Sequence, residues 1–549
     1  MGVNLDDVLG NKKQEVLFDK SKRTMNLLLI GVCIVVILIV IVAIAMFNHN
    51  FQIAQMNKAA MITRDAEKIR SVITKMYTQS KQEGNEELLI GINLQKVGPD
   101  KAVSLVSGGN QLDFKYGYYR LTKDEVNKII ADAGIASLEH PGEYVVNYST
   151  GEVVSLEGVK WNGKTYYEVD DLSAISRKRE DPNYPIPSDN TITINSPDDM
   201  KKIAEYPNAI FRLNKDIDMS AFNGGNGWTP IPSFKGKFDG RGYKIKNMKI
   251  NNSSLAYAGL FGTIESGAYL KNLVLEDFLV AGGDYSGAIA GSCSGTITNC
   301  YVTGNVSSTG RYCGGLFGNF EGVAERLESE VSVAGSQFVG GFAGQVTGGT
   351  IIECGVKNVN VNGNLDSVGG FVGLVQSNRD LEISKVRSIA TITGSERVGG
   401  LIGWVNAPNS IYVLDGNNSY AQGSITRGEK AVGGFIGELS IDGTSNMKIS
   451  YNYTICKPSP SIGNEDKGGF IGRVSTQSNP SIVSCYWEKQ RQEDYALSEN
   501  GVGSTNNNSI KIDPLTPQAI LLQKSFADWN PVLINWRFDN RNAPTLYWE

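Results

Sequence analysis

Histidine is almost absent from this chain of 549 residues, which contains only His49 and His140. Histidine is the commonest proton carrier near neutral pH and a frequent metal ligand, so a site built on it is not expected. The seven cysteines include no Cys-x-x-Cys pair, and the common zinc-ligand spacing is therefore missing as well. We predict no catalytic residue, no metal site and no cofactor, and a protein that is not an enzyme.

The chain also has no excess of basic residues. Its 52 Lys and Arg residues stand against 57 Asp and Glu residues, which gives a formal net charge of −5. A nucleic-acid-binding domain needs a basic surface toward the phosphates, so nucleic acid is not a predicted partner. No glycine-rich segment leads into a helix with Gly-Lys-Ser/Thr, and a phosphate-binding loop is not predicted either.

Glycine is abundant, and much of it belongs to a motif that recurs eight times. Each copy has a glycine, two or three apolar residues and a second glycine, as in Gly315-Leu316-Phe317-Gly318. The first glycine of each copy, called the marker glycine below, recurs every 26 to 35 residues, at Gly259, Gly287, Gly315, Gly341, Gly370, Gly400, Gly434 and Gly469. A regular period of this length is typical of a stacked repeat array.

Short segments rich in β-branched and small polar residues separate the motifs, and we interpret them as strands. A unit of about 28 residues without a helical period buries too little apolar surface to fold alone. The prediction is a mainly β protein, a parallel β-helix. We expect each marker glycine to form a corner, where it accepts a positive φ and lets backbones pass closely. The apolar residues after the marker glycines are expected to point inward: Leu260, Ala288, Leu316, Phe342, Phe371, Leu401, Phe435 and Phe470.

This repeat resembles the GLUG repeat family of bacterial surface proteins and adhesins. The resemblance begins near Asn190, includes the segment Phe234–Tyr243 and ends with a tryptophan-containing segment around Trp529. It implies a β-helix with GLUG repeats over residues 190–510, a C-terminal cap over residues 511–549 and a place at the cell surface. It implies no reaction.

The N-terminal region contains 23 consecutive uncharged residues, Met25–Phe47. As a helix this run would be about 34 Å long, enough to cross a bilayer. Five basic residues precede it: Lys12, Lys13, Lys20, Lys22 and Arg23. This asymmetry predicts a cytoplasmic tail at residues 1–24, a transmembrane helix at residues 25–47 in contact with membrane lipid, and an extracellular remainder.

Helical character continues beyond the apolar run, with an apolar stripe formed by Ile62, Ala66, Ile69, Ile73 and Met76. Strand patterns follow, and the pair Tyr148–Val153 and Val159–Tyr167 is similar to the small sheet of pilin-like proteins from Gram-positive bacteria. Residues 48–175 thus resemble the long helix and small α+β domain of type IV pilins. The glutamate that prepilins carry at the head of their apolar run is missing. A plain anchor and stalk helix remains the alternative, and proline-rich residues 176–189 are predicted to form a stiff linker.

Three aspartates form the best acidic candidate site. Asp216 and Asp218 are spaced to share one face of a strand, and Asp239 follows in Phe-Asp-Gly-Arg-Gly. Such carboxylates are able to bind Ca²⁺ or to act as acid and base in a polysaccharide-cleaving enzyme. The alternative is that Asp216 and Asp239 order turns through hydrogen bonds to the backbone.

Aromatic residues on the outside of the rod form a second candidate, as surfaces for sugar rings or for another protein. They are Tyr301, Tyr312, Tyr420, Tyr451, Tyr453, Tyr486 and Trp404. Cys300, Cys354 and Cys485 occur at a similar phase of three strands, where they are expected to pack as small apolar residues. A disulfide between Cys293 and Cys313 is left open.

An anchor helix, a pilin-like domain and a rigid repeat array in series predict a cell-surface adhesive or structural protein. Its partners would be a glycan or protein ligand and a pilus-like or envelope assembly. Two alternatives remain open at this point. One is a minor pilin or pseudopilin of a pilus, secretion or DNA-uptake machine, and the other is a polysaccharide-active β-helix enzyme.

Overall fold

The fold was obtained as a computed structural model of the chain. The structure describes residues 5–83, 85–94, 96–97, 118–148, 151–182, 184–187, 191–377, 379–407, 413–441, 446–459, 465–476, 480–489, 501–505, 510 and 512–549. Some predicted segments lie partly outside these residues, namely the start of the tail (1–4), part of the small domain (98–117), the end of the linker (188–189) and much of the region before the predicted cap (490–500).

One continuous helix, α1, spans Leu5–Glu83. It includes the predicted tail from Leu5 onward, so the segment before the apolar run is helical. The side chains from Leu27 to Phe47 are largely exposed, because no other part of the described structure packs against them. Among the described residues, α1 is the one helix long and apolar enough to cross a membrane. The predicted apolar helix is therefore present, with its apolar side chains exposed.

The second half of α1 packs on a small α+β domain. The apolar stripe identified in the sequence faces this domain, with Ile62, Ala66, Ile69 and Ile73 fully inaccessible. In the described part of this domain, helices α2 (Lys123–Asp132) and α3 (Val169–Arg177) pack with α1. The antiparallel sheet has five strands, β1 to β5: Ile92–Asn93, Tyr118–Leu121, Tyr144–Asn147, Glu152–Trp161 and Lys164–Glu168.

The rest of the chain winds into a parallel β-helix of about nine turns, as predicted. A large sheet of 21 strands forms one wall: Thr191–Ile194, Ile210–Leu213, Ile217–Asp218, Lys237–Asp239, Lys244–Lys246, Lys249–Asn251, Tyr269–Lys271, Val274–Gly282, Thr296–Ser308, Val323–Gly335, Gly349–Ile352, Gly355–Gly363, Leu381–Ser384, Arg387–Thr393, Val413–Asn417, Tyr420–Arg427, Asn446–Ser450, Tyr453–Pro458, Ser481–Val483, Tyr486–Glu488 and Asp513–Leu515. A ten-stranded sheet forms the second wall: Ile231–Phe234, Phe261–Ile264, Ala290–Cys293, Phe317–Phe320, Ala343–Val346, Val372–Val375, Ile402–Ala407, Ile436–Ile441, Ile471–Thr476 and Val502–Thr505. A six-stranded sheet forms the third: Arg311–Gly314, Gln337–Gly340, Asp366–Gly369, Glu396–Gly399, Lys430–Gly433 and Glu465–Gly468.

Short elements occur at both ends of the coil. Helix α4 (Lys202–Glu205) follows the first strand, and a two-stranded antiparallel ribbon lies near the C-terminus, at Trp536–Arg537 and Thr545–Leu546. The described residues include 3₁₀ segments at Glu86–Leu88, Asp198–Lys201, Met219–Phe222, Ala519–Leu521 and Gln523–Asn535.

The core of the β-helix is the apolar column that the repeat predicted. All eight residues that follow the marker glycines are at most 3% exposed. Successive rings stack within it, with centroids 4.6 Å apart for Phe342 and Phe371 and 4.5 Å apart for Phe435 and Phe470. The column confirms that each turn buries its apolar face on the next.

The marker glycines act by close approach, and the expectation of a positive φ at these positions is wrong. None of the eight has a positive φ. A Cβ on Gly315 would instead lie 2.0 Å from the carbonyl oxygen of Gly341, and one on Gly400 would lie 2.0 Å from that of Gly434. The repeat therefore keeps glycine because the next turn leaves no room for a side chain.

The C-terminal segment corrects the prediction of an end cap. Strand Asp513–Leu515 extends the large sheet beside Tyr486–Glu488. Residues 516–549, called the strap below, then run back along the side of the coil. Trp548 Nε1 donates to the carbonyl of Lys385, several turns before the end. The strap buries aromatic side chains on the flank of the coil, which an end cap would not reach.

The proline-rich residues 176–189 are not a free spacer. Ile186 is only 4% exposed and Tyr184 packs on the core of the small domain. The described part of this segment therefore belongs to the domain surface.

Candidate binding surface

A row of residues in the left-handed backbone conformation follows one side of the β-helix, along the third wall and the two turns that precede its first strand. Eight non-glycine residues, one per turn, have φ between 50° and 62°: Tyr257, Tyr285, Tyr312, Phe338, Ser367, Arg397, Ala431 and Asp466. This is called the left-handed row. Each lies two or three positions before a marker glycine, so the corner that we assigned to glycine is made by these residues. A non-glycine residue at such φ is uncommon, and eight in register show that stacking maintains the conformation.

The first four side chains of the row form an aromatic stack. Ring centroids are 4.9 Å apart for Tyr257 and Tyr285, 4.7 Å for Tyr285 and Tyr312, and 5.0 Å for Tyr312 and Phe338. The planes are within 14° of parallel, so the rings cover one another's faces. Tyr257 is 42% exposed. Burial, followed by the neighbouring hydroxyl groups, raises the pKa of Tyr285, which keeps its hydroxyl a neutral donor. The stack offers ring edges and hydroxyl groups to a ligand.

The other end of the row is charged. Arg397 pairs with Asp366 and covers the ring of Trp404, with its guanidinium carbon 4.1 Å from the ring centroid. Glu438, almost inaccessible, lies 3.2 Å from Arg473 and 3.8 Å from Arg397. The carboxylate of Glu438 thereby fixes Arg397 of the third wall and Arg473 of the second wall.

Two further contacts complete this charged cluster. Ser440 Oγ donates to Glu438 at 2.8 Å and accepts from Trp404 Nε1 at 3.0 Å. Burial alone would raise the pKa of Asp466, but hydrogen bonds from Ser504 and Arg473 hold it below its usual value. Asp466 is therefore ionised near neutral pH, and the cluster presents donors and acceptors in fixed positions.

The aromatic residues singled out in the sequence divide into two groups. Tyr301 is 36% exposed, and Tyr312, Tyr451 and Trp404 are partly exposed. The expectation of exposure is wrong for the other three, which are at most 9% exposed: Tyr420, Tyr453 and Tyr486. The strap covers them, and Trp529 and Trp536 lie in the same apolar cluster.

Polar contacts fasten the strap to the covered tyrosines. Tyr420 OH donates to Glu549 at 2.9 Å, and Arg387 Nε lies 3.1 Å from the same carboxylate. Tyr486 OH donates to Asp528 at 2.5 Å. Burial raises the pKa of Glu549, while Arg387 opposes that rise. This flank is therefore a packed interface within the chain.

The three candidate aspartates accept hydrogen bonds from backbone N–H groups, the kind of contact that the alternative interpretation predicted for Asp216 and Asp239. Asp218 Oδ1 accepts from the backbone N–H of Ser220 at 3.0 Å, and Asp216 Oδ1 accepts from that of Lys244 at 3.1 Å. Asp239 Oδ1 accepts from the backbone N–H of Arg241 at 2.9 Å. The backbone hydrogen bond lowers the pKa of Asp218. Within the described residues, no group of three or more His, Cys, Asp or Glu side chains is arranged to hold a metal ion.

Asp239 also belongs to an ion-pair cluster that the sequence did not predict. Lys271 Nζ lies 3.4 Å from Asp239 and 3.6 Å from Glu152 of the small domain. Arg212 of the β-helix donates to Glu168 of the small domain at 2.7 Å. The cluster joins the small domain to the first turns of the coil.

Burial and neighbouring charges shift the pKa values of the carboxyl groups in this cluster in opposite directions. Burial alone would raise the pKa of Asp239, but Lys271 and the Arg241 amide lower it. Burial raises the pKa of Glu168, and Arg212 only partly opposes this. Removing one cation would leave buried carboxylates without compensation, so the two parts of the molecule are tied together.

The cysteines of the β-helix are buried free thiols. Cys300, Cys354 and Cys485 point into the core as expected. Cys293 and Cys313 are also free, so the disulfide left open above is not formed. Burial raises the pKa of Cys300 to about 12, which makes the thiol unreactive.

These features define a parallel β-helix protein preceded by an apolar helix. No protein-family model matches the chain. The chain is 30% identical over 308 residues to Halomucin of Haloquadratum walsbyi. The aligned region is 51% of this chain and 3% of Halomucin. The chain is 38% identical over 101 residues to a "Putative Gly-rich membrane protein" of Evansella cellulosilytica, covering 17% of this chain and 12% of that protein. The chain thus spans only a small part of these curated relatives.

A solved structure is also similar. It is the crystal structure of a "putative immunoglobulin A1 protease" from Bacteroides ovatus, with 18% identity and a TM-score of 0.32, covering 65% of this chain and 92% of that one. A likeness of this strength carries no argument about activity.

Proposed function

We propose that this chain is a membrane-anchored surface protein whose β-helix displays a binding surface, with an adhesive or structural role in the cell envelope. One observation carries the proposal. The helix with the exposed apolar run continues without a break into the core of the small domain, and partly buried ion pairs tie that domain to the β-helix. A coil held in this way projects as one rigid body from its anchor.

The orientation and the family resemblance belong to the same proposal. Basic residues before the apolar run favour a cytoplasmic N-terminus and an extracellular coil. The repeat resembles GLUG repeats, which supports a surface address. The name of one relative describes that relative as a membrane protein, which agrees with an anchored chain.

The left-handed row is the proposed ligand surface. The aromatic rings of the row stack face to face on one another, so their faces are not available to stack on sugar rings. Hydroxyl groups at one end and fixed arginine and carboxylate groups at the other favour a protein ligand, with a glycan as the alternative.

The test uses the full chain in lipid nanodiscs, assayed against matrix proteins, a glycan array and bacterial cells. We expect saturable binding that the double change Tyr257→Ala and Tyr285→Ala weakens. Tyr301→Ala is the matched control, because Tyr301 is also partly exposed but lies on the large sheet. Equal binding by both variants would contradict the assignment of the row.

A pilin-like role is the second candidate, because α1 packs its amphipathic half on an antiparallel sheet as pilin-like helices do. Recovery of the protein along the length of purified pili would favour this role over an individual anchor. An enzymatic role would be indicated by release of sugar products that Asp239→Asn abolishes in a folded variant. We expect no such release.

A further inference from the structure

The small domain begins close to the end of the apolar run. The run ends at Phe47, and the first contact with the domain is at Gln55, whose Oε1 accepts from the backbone N–H of Lys160 at 3.0 Å. Eight helical residues correspond to about 12 Å. If residues 25–47 span a membrane, this part of the domain therefore lies just above the headgroups.

Strand β4 runs antiparallel to α1, so its end faces the membrane side. Lys160 contacts Gln55, Glu157 pairs with Lys58 at 3.1 Å, and the carbonyl of Gly151 accepts from Arg70 at 2.9 Å. Along these contacts the residue numbers in β4 decrease as the residue numbers in α1 increase, so the two elements run in opposite directions. The turn after β4 is therefore the part of this hairpin nearest the end of the apolar run.

The turn is tight and well defined. Trp161 pairs with Lys164 across it, and Asn162 and Gly163 have φ of 47° and 81°. Asn-Gly with two positive φ values is the preferred two-residue hairpin connection. The tip extends about 7 Å beyond Lys160, which brings it within about one Debye length of the headgroups.

The hairpin is basic where it is exposed. Lys160, Asn162 and Lys164 are exposed, and no acidic residue occurs from Gly158 to Tyr167. The nearest acidic side chain along β4, Glu157, is already paired with Lys58 and hydrogen-bonded to His140. Residues 48–57 of α1 carry no Lys, Arg, Asp or Glu. Lysines at this height favour anionic lipid.

We infer that the β4–β5 hairpin is a second membrane contact, and that its lysines rest on the headgroups of an anionic bilayer. This inference depends on the proposed membrane span. Two contacts, the helix and the hairpin, would fix the tilt of the small domain and hence the direction in which the β-helix projects. A single helix would leave the domain free to pivot.

The test places the full chain in nanodiscs of phosphatidylcholine alone or with phosphatidylglycerol. A fluorophore is attached at Asn162→Cys in a Cys33→Ala background, and lipids with a nitroxide on the headgroup act as quenchers. Leu365→Cys on the β-helix, which is 57% exposed, is the distant control. We expect quenching at position 162, stronger in the anionic discs, and none at position 365.

Two comparisons make the result specific. The double change Lys160→Gln and Lys164→Gln should abolish the excess quenching in anionic discs, whereas Lys237→Gln with Lys448→Gln, exposed on the β-helix, should leave it unchanged. Hydrogen exchange of residues 160–165 in the unaltered chain gives an independent measurement, and protection should appear only in anionic discs.

Failure of the inference is distinguishable from failure of the anchor. If the protein enters the discs but position 162 is not quenched and residues 160–165 gain no protection, the hairpin contact is wrong and the anchor stands. If the protein does not enter the discs, the proposed membrane span itself is wrong.

Discussion

Single residues of the repeat have distinct physical tasks. The marker glycines admit the backbone of the next turn, the residues after them fill the core, and the left-handed row turns the chain. The first two tasks were predictable from sequence, because spacing and residue type repeat together. The third was not, since tyrosine, serine, arginine and alanine all occupy the row and share no side-chain chemistry.

Replacing Gly400 with Ala should destabilise the β-helix. The added Cβ would lie 2.0 Å from the carbonyl oxygen of Gly434, so the turns must separate locally. We expect the free energy of unfolding to fall by about 1–3 kcal/mol or more, measured by urea denaturation. Gly416→Ala is the control, because the nearest atom to its Cβ would be 3.9 Å away. An equal loss in both variants would show that close approach is not the cause.

The buried thiol of Cys300 should make stability fall at alkaline pH. Burial raises its pKa to about 12, whereas an unfolded cysteine titrates near about 8.5. Between these values the unfolded state has lost a proton that the folded state keeps. Rising pH therefore lowers the free energy of unfolding, by up to about 1.4 kcal/mol per pH unit for this group.

The measurement compares urea unfolding of the parent chain and Cys300→Ala from pH 7 to pH 10. The variant is expected to be less stable at pH 7 but to lose stability less steeply above about pH 8.5. Cys33→Ala, in the apolar run, serves as the control for loss of a cysteine. Parallel curves for the parent chain and Cys300→Ala would rule out this contribution.

At the scale of elements, the strap is the feature that sequence patterns missed. It contacts Tyr420, Tyr453 and Tyr486, which belong to three successive turns. The strap has no repeat period of its own, and its partners lie 42 to 194 residues away along the chain. Its tryptophans were therefore assigned to a cap, the usual place for apolar residues at the end of a solenoid.

Trp529→Ala should release the strap without unfolding the first turns. Trp529 is fully buried against Tyr453 and Tyr486, and its loss should cost about 3–5 kcal/mol. Hydrogen exchange should rise in residues 516–549 and remain unchanged around Phe342. Ile534→Ala, at a strap position that is 62% exposed, is the control and should change little. Loss of protection throughout the coil would show that the strap is essential for the whole fold.

At the scale of the whole molecule, the order of parts was predictable and their attachment was not. The apolar helix and the repeat array follow from local sequence patterns. The ion pairs of Lys271 with Glu152 and of Arg212 with Glu168 join residues 44 to 119 positions apart, and no local pattern indicates them. The same limit applies to the candidate site, where the hydrogen bond of Asp239 to the backbone of its own turn was predictable but its pairing with Lys271 was not.

The most direct measurement is protease digestion of intact cells followed by mass spectrometry of the peptides released and retained. A membrane-anchored surface β-helix predicts that peptides from residues 190–549 are released while residues 1–23 are protected until the membrane is opened. Protection of residues 190–549 together with digestion of residues 1–23 would contradict the proposed orientation. Protection of both regions in intact cells would contradict a surface location altogether.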